Sequence, residues 1–174
     1  MIASCDTDKA VVNSFASALR TLVDLKAEGV FEEYALAGAM ALVFWTEPVA
    51  TYDLDVLIWL RDKKGPLVTL APVYEWLVAR GHAVQAEHVI ISGVPVQFLP
   101  AHNALADEAI KEASELDYEG VPVRVVRPEH LIALYLEPSA QTRKRRERAA
   151  ALAELPTLDQ ARLDDILARH GLHW

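Results

Sequence analysis

Hydrophobic positions along the chain follow helical spacing in some segments and alternate in others, which predicts a mixed α/β (α+β) domain. Residues 8–28 carry apolar side chains at helical spacing and are followed by Gly29, a residue type that commonly ends helices. The most regular strand pattern covers residues 51–60, where Leu54, Val56 and Ile58 are separated by single residues. Further helices are predicted at 39–45, 70–80, 103–113, 129–136, 142–155 and 158–170, and further strands at 34–37, 88–91, 94–99 and 121–126.

This order of elements predicts one mixed β-sheet with helices packed on it, followed by a C-terminal helical tail. A length of 174 residues is enough for one hydrophobic core, and an apolar content of 52% favours a folded chain. No repeat, low-complexity segment or linker interrupts the pattern. We therefore expect a single domain over residues 1–174, with the sheet in 1–127 and the C-terminal helices in 128–174.

Charge and the terminal sequence narrow the functional classes. A net charge of −8 argues against nonspecific nucleic-acid binding by the whole surface. The only cysteine, Cys5, excludes an internal disulfide. No signal-peptide pattern is present, and the longest apolar run, residues 34–45, is too short to span a bilayer. These features predict a cytoplasmic protein without membrane attachment.

The motif Asp53-Leu54-Asp55 is the first candidate for chemistry. Residues two apart on a strand share a face, so the two carboxylates are expected side by side. Their repulsion raises the pKa of one of them, and a hard divalent cation such as Mg²⁺ or Mn²⁺ relieves the conflict. The motif therefore predicts a metal site at Asp53 and Asp55, although an exposed strand face is the commoner explanation when the motif stands alone.

A strand, a glycine and a short helix precede this motif at residues 36–41. Backbone N–H groups at the start of a helix favour an anion such as phosphate, and Gly38 permits a close approach. A tight turn also accounts for a single glycine. A phosphate turn followed by a carboxylate pair, in this order, is more specific than either feature alone.

The segment 34–60, YALAGAMALVFWTEPVATYDLDVLIWL, resembles the signature of the nucleotidyltransferase-like superfamily. The resemblance is strongest to the bacterial group related to AbiEii toxins and to other minimal nucleotidyltransferases, and segments 94–100 and 121–136 resemble its continuation. It implies a nucleotidyltransferase-like sheet and Mg²⁺-dependent transfer of a nucleotide from an NTP to an acceptor such as RNA or protein. For a toxin-like protein, it also implies an antitoxin partner.

The resemblance also assigns roles to individual residues. Asp53 and Asp55 correspond to the catalytic metal ligands, and Gly38 with Ala39 corresponds to the phosphate turn. Thr51 corresponds to the threonine before the pair, and Gln97 occupies the position of a third carboxylate.

Several positions depart from the family pattern. Ala39 lacks the usual hydroxyl, Val49 stands where an arginine often precedes the motif, and Gln97 cannot act as a general base. Tyr135 and Arg146 stand where toxin-like relatives often carry Lys and Asp. Two hypotheses remain open: a nucleotidyltransferase of weak or redirected activity, and a nucleotide-binding or partner-binding protein of the same fold, such as a toxin–antitoxin component.

The basic cluster at residues 143–148, RKRRER, also has two interpretations. It predicts either capture of a triphosphate or an RNA acceptor, or simply a solvated helix face, which is the commoner case. The sequence predicts neither the acceptor nor the oligomeric state.

Overall fold

The computed structural model describes residues 4–46, 51–60, 69–140 and 142–174, which form seven α-helices and seven β-strands. The helices are α1 (Ser4–Ala27), α2 (Gly38–Val43), α3 (Ala71–Ala79), α4 (Ala104–Lys111), α5 (Pro128–Leu136), α6 (Arg143–Ala153) and α7 (Gln160–His170). The strands are β1 (Glu33–Ala37), β2 (Leu54–Trp59), β3 (Ala83–Gln85), β4 (His88–Ile91), β5 (Val94–Pro100), β6 (Ser114–Tyr118) and β7 (Val121–Val125).

The strands form one mixed sheet in the order β3-β4-β5-β2-β1-β7-β6. Strands β2 and β5 are parallel, as are β1 and β7, whereas the remaining neighbours are antiparallel. The predicted mixed sheet with helices packed on it is therefore confirmed.

Helix α1 packs on one face of the sheet. This helix buries Leu19, Leu22 and Leu25 completely and packs against β4, β5 and β7. In β2, the apolar residues that alternate in the sequence, Leu54, Val56 and Ile58, are all buried. The alternation of apolar residues in β2 therefore indicates a strand in the core of the sheet.

The opposite face carries the residues between them, and helix α4 covers only part of it. Trp59 of β2 donates its indole N–H to Asp107 Oδ1 of α4 at 2.7 Å. Because alternate residues share a face, Leu57 and Asp55 project from the same side as Trp59. Asp55 thus lies on the face that α4 partly covers, near the start of β2.

The predicted start of the central strand is wrong. Strand β2 begins at Leu54, so Asp53 precedes the strand rather than forming part of it. The hydroxyl of Thr51 donates to the main-chain oxygen of Asp53 at 3.3 Å, a local contact of the kind that competes with sheet pairing.

Two strands were not predicted, and both lie at edges of the sheet. Strand β3 is exposed throughout, and β6 (SELDY) has no fully buried residue. An edge strand needs no apolar alternation, so the sequence pattern contains no signal for it. Asp117 and Tyr118 belong to β6, and Glu119 and Gly120 form the turn to β7. Val49 lies outside the described residues.

Helix α5 is the central element of the C-terminal part of the fold. This helix packs against α4, α6 and α7 and is almost entirely buried. Within the described ranges, the structure contains no helix with the length and apolar character needed to cross a membrane. The division into a sheet-containing core and a helical tail stays a prediction.

Candidate active site

Asp55 lies against the backbone of Gly38. Ala37, the last residue of β1, pairs with Asp55, and Gly38 follows with a φ of +59°. A Cβ atom added at position 38 would lie 2.7 Å from Asp55 Cγ and would overlap Asp55 Oδ2. Glycine is therefore required here both for the left-handed backbone and for the space that the carboxylate occupies.

Tyr135 of α5 holds the Gly38 turn by a hydrogen bond to its backbone. Its hydroxyl donates to the carbonyl oxygen of Gly38 at 2.8 Å, and its side chain is buried. Burial raises the pKa of Tyr135 to about 12, so the hydroxyl stays protonated and remains a donor. The sequence identified Tyr135 only as a departure from the family pattern, because a contact between residues so far apart in the chain leaves no local signal.

Asp53 is exposed and is oriented by Thr51. The hydroxyl of Thr51 donates to Asp53 Oδ1 at 3.1 Å. Burial, and after it the negative charge of Asp53, raises the pKa of Asp55 above its usual range. The two carboxyl groups therefore interact electrostatically even though only Asp55 lies on the strand.

Gln97 and Ala39 flank Asp55 in different ways. Gln97 of β5 pairs directly with Asp55 across the parallel ladder, so both side chains project from the same face. Ala39 is 6% exposed, and its methyl group is buried. Any contact between Ala39 and a phosphate would therefore use its backbone N–H.

The basic cluster on α6 divides into two faces. Arg145 and Arg148 are half-buried, and their positive charges act on Asp55 to lower its pKa against the effect of burial. Arg143 points away, because its side chain is 93% exposed and pairs with Glu147 at 2.8 Å. A solvated helix face thus describes Arg143, whereas Arg145 and Arg148 turn toward the carboxylates.

Two cavities flank the carboxylates. The first, of about 280 Å³, lies beside Gly38, Asp55, Tyr135 and Arg145. The second, of about 450 Å³, is lined by residues from several elements, among them Thr51, Asp53, Gln85, His88, Lys144 and Arg148. Each aspartate of the motif therefore borders a different cavity, and a basic residue of α6 borders each.

A second acidic cluster, remote in sequence from the motif, joins α4, α5 and α7. Ligand atoms of Glu108, Glu112 and His130 lie within 4.8 Å of one another. Arg169 donates to both carboxylate oxygens of Glu108 at 2.7 Å, and Glu112 pairs with Arg162. These guanidinium groups already neutralise the carboxylates, so the arrangement is an ion-pair network rather than a preferred cation site.

Comparison with known proteins gives a fold match. No family model and no curated protein sequence matches the chain. Among solved structures, the chain matches an antigenic nucleotidyltransferase-like protein from Paracoccidioides brasiliensis. The TM-score is 0.59 at 16% identity, over 93% of this chain and 87% of that one. The chain has a nucleotidyltransferase-like fold.

Two structures of the antibiotic-resistance factor ANT(2'')-Ia share this nucleotidyltransferase-like fold. Its solution structure matches with a TM-score of 0.55 at 17% identity, over 95% of this chain and 92% of that one. Its crystal structure with adenylyl-2''-tobramycin gives the same two values, over 88% of this chain and 95% of that one. The predicted nucleotidyltransferase-like fold is confirmed, whereas membership of the superfamily and of its AbiEii-like subgroup stays a prediction.

The donor set in this nucleotidyltransferase-like fold suits a hard divalent cation. Asp53 and Asp55 supply carboxylate oxygens, and Gln97, opposite Asp55, supplies an amide oxygen. The raised pKa of Asp55 arises partly from the charge of Asp53, a conflict that a bound cation would relieve. The residues present are therefore compatible with Mg²⁺ or Mn²⁺.

Proposed function

We propose that this protein is a metal-dependent nucleotidyltransferase that moves a nucleoside monophosphate from an NTP to a hydroxyl group. The observation that carries the proposal is the environment of Asp55. Its half-buried carboxylate lies against the backbone of Gly38, interacts with Asp53, and is faced by Arg145 and Arg148. Acidic groups for a metal and basic groups for phosphates thus meet at one place on a fold shared with nucleotidyltransferase-like proteins.

Each residue of the motif has a role in this proposal. Asp53 and Asp55 hold Mg²⁺ or Mn²⁺, and Thr51 orients Asp53. The bound cation supplies charge stabilisation to the reacting phosphate and to the leaving pyrophosphate. The backbone at Gly38 and Ala39 approaches the phosphates closely, because no side chain at position 38 intervenes.

Arg145 and Arg148 supply positive charge that the phosphate turn lacks. Ala39 has no hydroxyl, and Val49 is not the arginine of the family pattern. The two guanidinium groups on α6 face the same carboxylates from another element. We assign them to the triphosphate, since guanidinium groups bind phosphate oxygens through paired, charge-assisted hydrogen bonds.

The cavity of about 280 Å³ is the proposed nucleotide pocket. It adjoins Gly38 and Arg145, and its walls combine the polar residues His102, Glu137 and Ser139 with four leucine side chains. These side chains are Leu57, Leu99, Leu131 and Leu134. Apolar walls with a few polar groups are typical of pockets that hold small ligands such as nucleotides.

The acceptor is to be identified by experiment. ANT(2'')-Ia was crystallised in complex with adenylyl-2''-tobramycin, so an aminoglycoside joins RNA and protein as acceptors to test. The toxin-like role and an antitoxin partner stay predictions from the resemblance.

The test is a transfer assay with α-labelled NTPs, Mg²⁺, and total tRNA, tobramycin or the protein itself as acceptor. We expect wild-type protein to label one acceptor and release pyrophosphate. Asp53→Ala and Asp55→Asn should lose the activity, whereas Glu75→Gln, which removes an exposed charge on α3, should keep it. Equal transfer by wild type and Asp55→Asn would remove the site assignment.

A second candidate function, nucleotide binding without turnover, is favoured by Gln97. This amide lies opposite Asp55 and cannot accept a proton from an acceptor hydroxyl. Tight binding of MgATP, with neither label transfer nor pyrophosphate release for any acceptor, would select this function over catalysis.

A further inference from the structure

We propose that His88 is the general base of the transfer, taking the place of the carboxylate that Gln97 replaces. This inference rests on the proposed nucleotidyltransferase activity. It assigns the second cavity, of about 450 Å³, to the acceptor hydroxyl.

The strand register brings His88 onto the face of the sheet that carries Asp55. Asp55 of β2 pairs with Gln97 of β5. Strand β4 is antiparallel to β5, and carrying their register one pair beyond Val89 and Val96 sets His88 opposite Gln97. Paired residues on neighbouring strands project from the same face, so a carboxylate, an amide and an imidazole form a row across three adjacent strands.

The second cavity borders this row at His88. His88 lines it together with Asp53, and so does Gln85, the residue that pairs with His88 on β3. Ile90 and Pro95 also line it and lie on the same face as His88 and Gln97 by strand alternation.

His88 is accessible from this cavity. Its side chain is 25% exposed, so a proton can pass to solvent. The imidazole thus borders, as Asp53 does, a space that an acceptor can enter.

A neutral imidazole can perform the proton transfer that an amide cannot. In the proposed step, the acceptor hydroxyl gives its proton to a ring nitrogen of His88. The electron pair of the hydroxyl oxygen forms the new bond to the α-phosphorus. The bond from that phosphorus to the bridging oxygen breaks, and pyrophosphate leaves with that electron pair. His88 then returns the proton to solvent.

The test compares steady-state kinetics of wild type and His88→Gln. Pyrophosphate release from MgATP is followed with the best of the three acceptors, or with water as nucleophile where none reacts. We expect kcat to fall by about 100-fold or more, the range for loss of a general base, with an unchanged KM for ATP. His173→Gln removes an exposed histidine at the C-terminus and should behave as wild type.

Two rescue experiments separate a base from a structural residue. Free imidazole should raise the kcat of His88→Ala, and Gln97→Glu should restore turnover in His88→Gln by returning a carboxylate to the row. Unchanged kcat in His88→Gln, or a loss that neither rescue reverses, would overturn the assignment of His88 while Asp55→Asn still tests the activity itself. No turnover by wild-type protein would overturn both proposals.

Discussion

At the scale of single residues, the site depends on the close contact between Gly38 and Asp55. We predict that Gly38→Ala is destabilised by more than the left-handed backbone alone accounts for, which is about 1–2 kcal/mol. The added Cβ would also displace the Asp55 carboxylate, so MgATP binding should fall with stability. Urea unfolding and calorimetric titration measure the two effects.

Gly171 provides the matched control for this substitution. Its φ is +63°, close to that of Gly38, but a Cβ added there meets no atom within 4 Å. Gly171→Ala should therefore show the backbone cost without loss of nucleotide binding. If the two variants lose equal stability and bind MgATP equally well, the contact between Gly38 and Asp55 contributes neither to stability nor to nucleotide binding.

The sequence predicted part of this site because those residues lie in one continuous segment. Gly38 begins α2 and is identified by the local pattern of strand, glycine and helix, whereas Asp55 of β2 is identified by the motif Asp53-Leu54-Asp55. Tyr135 and His88 reach the site through helix packing and strand register, which depend on contacts distant in sequence. No local sequence pattern indicates such contacts, so the roles of these two residues could not be predicted.

At the scale of secondary-structure elements, α6 determines which basic residues face the site. We predict that Arg145→Ala and Arg148→Ala weaken binding of a non-hydrolysable MgATP analogue. Each lost charged hydrogen bond is worth about 1.5–3 kcal/mol, which corresponds to about 10-fold to 100-fold in affinity. Isothermal titration calorimetry provides the measurement.

Arg143→Ala is the control on the same helix. It removes the same charge from the solvent-facing side, where Arg143 pairs only with Glu147 of its own helix among the contacts described. This variant should bind the analogue as wild type does. Equal weakening by all three substitutions would mean that α6 contributes only its overall charge.

The elements themselves were predictable to different degrees. Strand β2 and helix α5 are buried, and their apolar patterns were recognised in the sequence. Strands β3 and β6 escaped prediction because they pair at the sheet edges without burying an apolar face. Pairing at an edge depends on backbone hydrogen bonds, which the side-chain pattern does not encode.

At the scale of the whole molecule, Glu108 connects three helices. Its carboxylate on α4 binds Arg169 and His170 of α7 and lies 3.1 Å from His130 Nε2 of α5. The Arg169 guanidinium, followed by the two imidazoles, holds the pKa of Glu108 well below its usual range. The network therefore secures the C-terminal helices, including α5 with Tyr135, against the sheet-containing part.

We predict that Glu108→Gln is less stable than wild type at pH 7 by about 1–3 kcal/mol. The folded state keeps Glu108 ionised at pH values where the unfolded chain takes up a proton. The contribution is therefore complete above a pH of about 5 and is lost progressively as the pH falls below about 4. The stability difference between wild type and variant should shrink over that range.

Denaturant unfolding followed by circular dichroism at several pH values measures this difference. Asp165→Asn is the control, because it removes an exposed partner of Arg169 and should cost at most about 1 kcal/mol. A wild-type advantage that stays constant from pH 7 to 3 would show that ionisation of Glu108 does not stabilise the fold.

The central claim is that Asp53 and Asp55 together hold a divalent cation beside the nucleotide. Electron paramagnetic resonance of Mn²⁺, titrated with protein and a non-hydrolysable ATP analogue, tests it most directly. We predict a tight Mn²⁺ site in wild type and in Glu75→Gln that Mg²⁺ competes for and that Asp55→Asn abolishes. Retention of the same Mn²⁺ affinity in Asp55→Asn would contradict the account.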